Sequence, residues 1–195
     1  MHRMDRGNAG PVLGSEQSAP KAQHHAHGQG TRLMPVCGDR QSRLFRLQAA
    51  APQARPISEC GFSRLSRYYS NDTLTSSKVI VVDRLPLPPL TQMGLTEFQD
   101  FERGQYDGIT YFDTFFVRRP CQTEALYFHE LIHIIQWRKL GPEGFLGAYA
   151  AGLEQFGYFN SPLEKMAYQA QRLFETSTLP FDAEKFVQDG LGQIT

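Results

Sequence analysis

No apolar run in the sequence approaches the roughly 18 residues that a membrane-spanning helix needs, and the first thirty residues lack the apolar stretch of a secretory signal. Cysteine is scarce. Cys37, Cys60 and Cys121 stand far apart, form no CxxC pair, and as an odd set argue against a disulfide framework. Neither sign of charge is in excess: 20 Lys+Arg meet 20 Asp+Glu. That balance removes the electrostatic case for nucleic acid or an anionic membrane surface as a partner. The expectation left standing is a cytoplasmic protein. Its 195 residues, 41% hydrophobic and 12% aromatic, suffice for one modest core.

The even balance hides two unlike segments. Residues 1–75 carry ten Lys+Arg against five Asp+Glu, and the remainder reverses this with ten against fifteen. The first segment also holds four of the six histidines, three of them in His24-His25-Ala26-His27. Strong apolar residues are sparse there and keep no helical or strand period. A stretch of this kind cannot bury enough surface to offset chain entropy, so residues 1–60 read as a disordered, low-complexity segment and 61–195 as the folded domain. Flexible His-rich tracts are mostly without a specific role. The Arg-rich, acid-poor opening suggests a transit peptide, but Asp5, Glu16 and the glycines spoil an amphipathic helix.

Order is expected from about Ser58. The β-branched run Lys78 to Val82, stopped by Pro86, Pro88 and Pro89, reads as a buried strand. Leu95 to Phe101 suggests a short helix. Tyr106-Asp107-Gly108 marks a turn and launches a second strand over 109–117. After Pro120 the pattern becomes helical. Thr123 suits an N-cap and Gly141-Pro142 a stop, and the residues between are apolar almost all the way round, which places this helix inside the domain. A second helix is expected from Phe145 to about Phe156, a third opening at Ser161-Pro162, and a short last one over Ala183 to Gln188. Strands followed by helices indicate an α+β fold, with a short sheet, a central helix and packed C-terminal helices.

Inside the central helix stands His129-Glu130-Leu131-Ile132-His133, an HExxH motif. Residues four apart share a helix face, so the two imidazoles can converge on one metal ion. Glu130, turned by about 100° from His129, can reach a water on that ion without becoming a ligand. Zinc held in this way keeps an open position, lowers the pKa of its water to about 7 and polarises a carbonyl. The carboxylate then takes a proton and can hand it to a leaving amine. Chance would produce the pattern in about one such chain in a hundred, and an apolar helix is a costly place for these side chains unless they are paired or coordinated.

Zinc needs a third ligand. An HExxHxxGxxH extension is ruled out, because Gln136 and Lys139 stand where glycine and histidine would be, and no histidine follows His133. The ligand must then be a carboxylate. Glu164 is the expected one: it lies in the first turn of the helix opened by Ser161-Pro162, and Ala167 one turn on leaves room for close approach. Glu154 is the alternative. Ser161-Pro162-Leu163-Glu164 also reads as a capping box, which would account for Glu164 without any metal.

His129-Glu130-x-x-His133 followed by Glu164-x-x-Ala167 resembles the gluzincin branch of the zincin metallopeptidases. The run His129 to Trp137 is also similar to small bacterial zincin-like domains. The resemblance covers about 105–176. It implies a small zincin-like α+β fold with zinc held by His129, His133 and Glu164, and an edge strand above the active helix that binds an extended substrate. The 109–117 strand fits that edge.

Tyr168, one turn after Glu164, is a candidate donor to a reaction oxyanion, with Tyr149 and Tyr158 as weaker ones. Phe128 and Trp137 belong to the core. Asp113 is a candidate acceptor for a ligand histidine, though an exposed strand residue is the plainer reading. Cys121 reads as a buried thiol. The expected function is a zinc-dependent hydrolase, a metallopeptidase with Glu130 as general base and a peptide or protein as substrate. The alternatives are a metal-stabilised, non-catalytic interaction module and a metal-free helical adaptor.

Overall fold

The computed structural model describes residues 54–93 and 96–193. The His24–His27 tract, Cys37 and most of the segment read as disordered therefore lie outside the described residues. At its near end order starts earlier than Ser58. Strand β1 (Arg55–Pro56) pairs antiparallel with β2 (Lys78–Val82), and Ile57 is buried. Between these strands lies α1 (Asn71–Ser76), whose cap Ser70 accepts from the Thr73 amide.

The 109–117 run is two strands and not one. β3 (Gly108–Tyr111) and β4 (Thr114–Arg118) form an antiparallel hairpin, with Tyr111 opposite Thr114. Phe112 turns the chain at φ 55°, the left-handed backbone that two-residue hairpins require. No glycine or asparagine advertises the turn. It is held from outside: the Phe112 ring lies 4.7 Å from that of Trp137, and Asp113 accepts from Arg138 Nε at 2.8 Å. Arg138 also donates to Ser76 and Ser77, so one side chain clamps the hairpin tip to the end of α1. β2 runs parallel to β4, and the sheet order is β1-β2-β4-β3, with β3 at one edge.

A 3-10 turn (Thr96–Phe98) leads into α2 (Gln99–Arg103). The long α3 (Glu124–Phe156) starts from Thr123, whose side chain accepts from the Leu126 amide. It breaks at Gly141 (φ 68°, ψ 172°), so Gly141-Pro142 divides it into two limbs as the sequence suggests. Every residue from Tyr127 to Trp137 is buried. α4 (Pro162–Thr176) and α5 (Ala183–Leu191) pack on the first limb, and α5 is capped by Asp182 and runs past the expected end at Gln188.

The core is centred on Phe128. Its ring stacks on Phe174 at 4.5 Å and meets Tyr68, Tyr69 and Phe181, while the Tyr69 hydroxyl donates to the Phe128 carbonyl at 2.7 Å. Phe128 and Trp137 are thus core residues. Gly152 on the second limb lets the start of α4 come close: a Cβ there would lie 3.0 Å from the Pro162 ring and 3.1 Å from Ser161. This approach fixes the height at which α4 presents Glu164 to the first limb. The result is a small mixed sheet with helices packed against it, an α+β fold. No helix among the described residues is long and apolar enough to cross a membrane.

Phe128→Ala should destabilise the metal-free protein by about 3–5 kcal/mol, through lost burial and the cavity left among the aromatic rings. Urea unfolding in the presence of a chelator measures this, and a loss under 1 kcal/mol would remove Phe128 from the centre of the core.

Candidate metal centre

His129, His133 and Glu164 meet in the interior, each at least nine-tenths buried. One helical turn brings His129 Nε2 to 3.1 Å from His133 Nε2, and α4 brings the carboxylate across to 3.5 Å from each ring. Donors about 2.0–2.1 Å from a tetrahedral ion lie roughly 3.3–3.4 Å apart, so the three spacings match one shared cation. Glu164 Oε2 has no hydrogen-bond partner although it is buried, as expected of an oxygen reserved for a cation.

The far side of each ring decides the chemistry. His133 Nδ1 faces Gln136 Oε1 at 2.8 Å, and the Gln136 amide is oriented by its Nε2 donating to the Leu163 carbonyl at 3.0 Å. His129 Nδ1 faces Gln171 Oε1 at 3.0 Å, with Gln171 Nε2 donating to Glu175. Each glutamine therefore presents an acceptor, which assigns the proton of each neutral imidazole to Nδ1 and leaves both Nε2 lone pairs pointing inward. Tyr149 completes the arrangement by donating its hydroxyl to Glu164 Oε1 at 2.7 Å. Two lone pairs and a carboxylate face one another away from water, and only a positive charge makes that favourable.

Without a metal, a proton fills the role. Burial alone would lower the His133 pKa, but Glu164 and Glu130 beside it outweigh burial and push it up to about 9. Burial likewise would raise Glu164, and the two imidazoles override it and hold the carboxyl well below its usual range. Two imidazoles and a carboxylate suit a first-row divalent ion better than Mg²⁺ or Ca²⁺, which favour oxygen throughout. The trio could thus hold a metal ion, and its donors fit one.

Glu130 stays out of the trio. Its Oε2 accepts from the Thr110 hydroxyl of β3 at 2.6 Å, and its Oε1 packs against the Cα of Gly108, where any side chain would collide with it. Burial raises its pKa, with the imidazoles and Thr110 opposing only in part. Edge strand β3 therefore holds this carboxylate beside the histidines. A cleft of about 510 Å³ opens over Glu130 and His129, lined also by Gly108, Tyr158 and Tyr168 among others. The Tyr168 ring lies 4.6 Å from His129.

The sequence-derived set His129, Glu130, His133, Glu164 and Tyr168 is brought together. Glu154 is exposed and outside it. The capping-box account of Glu164 is contradicted, since Ser161 makes no side-chain cap bond and Glu164 turns to the histidines. Asp113 sits at the hairpin tip on Arg138 and orients no ligand. Cys121 is half-buried, not buried, with Sγ 3.1 Å from Asp107. Tyr149, one of the weaker oxyanion candidates, instead positions Glu164. Gln136 and Gln171 are the site residues that the sequence reading does not single out, although the sequence holds a signal for each: a glutamine three residues after His133 among apolar neighbours, and one seven residues after Glu164 on the same helix face.

No protein-family model, curated protein or solved structure matches the chain.

Glu164→Ala should weaken metal binding at least a hundredfold while Glu154→Ala leaves it unchanged, as read by competition with a chromophoric chelator; equal effects would remove Glu164 from the ligand set. At pH 7.5 the raised His133 pKa means that the metal must displace a proton. About one proton should be released per ion, and fewer as pH rises through about 9. Calorimetry in buffers of different ionisation enthalpy counts it, and heats independent of buffer would contradict the assignment.

Proposed function

We propose that the protein is a zinc-dependent hydrolase, and specifically a metallopeptidase of the gluzincin kind. The observation that carries this reading is Glu130, a buried carboxylate held by Thr110 next to a His-His-Glu cluster and lining the same cleft as His129. A purely structural metal site needs no such neighbour. Zinc bound by His129, His133 and Glu164 would supply a polarised carbonyl and a water of lowered pKa.

The remaining work falls to the chain. Glu130, with its pKa raised by burial, accepts the proton lost by the attacking water and delivers it to the leaving nitrogen as the C–N bond breaks. Thr110 donates to the oxygen not needed for that transfer, which keeps the carboxylate aimed. Tyr158 and Tyr168 face the same cleft, and burial together with the charge of Glu164 raises both phenols, so each keeps its proton and can donate. Tyr168, its ring tilted against that of His129, is the assigned donor to the developing oxyanion. Gln136, Gln171 and Tyr149 position the ligands throughout.

Glu130→Gln should keep its metal and lose about 10²–10⁴-fold in peptide turnover. Metal content by elemental analysis and cleavage of a mixed peptide library are the two readouts. Retained cleavage would end the general-base role, and unchanged partner binding by a wild type that cleaves nothing would support a non-catalytic module.

A further inference from the structure

The cleft lined by His129 and Glu130 is rich in aromatic side chains. An unbroken chain of rings runs round it. Tyr168 lies against His129, Phe159 is 6.1 Å from Tyr168, Tyr158 is 5.2 Å from Phe159, Tyr106 is 4.7 Å from Tyr158, and Phe101 is 5.1 Å from Tyr106. These rings come from three separate stretches: the segment before β3, the connection between α3 and α4, and α4 itself. Phe159 is 72% exposed, a large apolar side chain at the mouth with nothing over it. Gly104 permits the arrangement locally, because any side chain there would collide with the Tyr106 ring.

Charge in the cleft is of one sign. Asp100, Asp107 and Glu130 line it, and no lysine or arginine does so among the described residues. Arg118 pairs with Asp107 at 3.2 Å, whereas Asp100 makes no ion pair among the described residues. An anionic side chain entering here meets carboxylates and π faces and finds no lysine or arginine in the lining, while a bulky apolar one covers rings that otherwise face water.

We infer that the cleft takes an aromatic or bulky apolar side chain of a peptide and rejects an acidic one, so that the chain cleaves next to such residues. The inference rests on the hydrolase reading for its word "cleaves", but the recognition part stands on the rings and charges alone. Phe159 is the specificity-determining residue most open to change, being exposed and outside the core.

The test uses the zinc-loaded full chain with three N-blocked amino-acid hydroxamates, those of phenylalanine, alanine and aspartate, followed by fluorogenic peptides varied in the same way. Trp137, the sole tryptophan, stacks on Phe145 at 4.1 Å, and Phe145 stacks on Tyr149, the Glu164 partner; its fluorescence reports binding without turnover. The phenylalanine probe should bind at least about tenfold tighter than alanine, and alanine tighter than aspartate. Phe159→Ala should reduce the first ratio at least threefold, and Leu179→Ala, exposed but away from the cleft, should leave it unchanged. Cleavage with no side-chain preference, or a preference untouched by Phe159→Ala, overturns the inference and leaves the hydrolase standing. The predicted binding order without cleavage keeps the cleft assignment and removes the hydrolase. Equal binding of all three probes with no cleavage removes both.

Discussion

Three electron-rich groups, two imidazole lone pairs and one carboxylate, converge to within 3.5 Å of one another in the buried interior, and they need a positive charge between them. A proton can do this and so can a divalent ion. The glutamines on the outer ring nitrogens accept from Nδ1–H and so orient both rings with Nε2 toward the shared centre, ready for either. Tyr149 does the same for the carboxylate from the opposite side. Five side chains from two helices are thus committed to presenting or orienting three donor atoms, and Tyr149 adds the second limb of α3.

The architecture supplies close approaches where the site needs them. The break at Gly141 turns the second limb of α3 so that Tyr149 can reach Glu164. Gly152 lets α4 begin near that limb, and Gly108 lets the edge strand sit directly against Glu130. At each of the last two positions a side chain would separate a buried carboxylate from its partners. The hairpin turn at Phe112, clamped by Trp137 and Arg138, fixes β3 and with it Thr110, so the sheet is tied to Glu130 through one hydroxyl.

Much of this was legible in the sequence. The motif spacing puts both imidazoles on one face of a buried helix, and the elimination of any further histidine directs the search to a carboxylate on α4. What escaped was set by tertiary contacts. The Phe112-Asp113 turn has a phenylalanine, not a glycine or asparagine, at its left-handed position, and ring packing and a salt bridge hold it from outside. Glu164 has two locally consistent placements, on the cap or facing the histidines, and only the arrival of α4 over α3 decides between them. Gln136 and Gln171 look like ordinary helix residues until their partners are in place. Strand β1 is two residues long, too short to leave a pattern.

The trio can hold one cation only if both histidines reach it through Nε2, and X-ray absorption at the zinc edge of the zinc-loaded protein tests this most directly. A four-coordinate shell at about 2.0 Å, with the outer-shell scattering of two imidazole rings, is the predicted spectrum. A shell of oxygen atoms alone, or scattering from a single ring, would contradict the account.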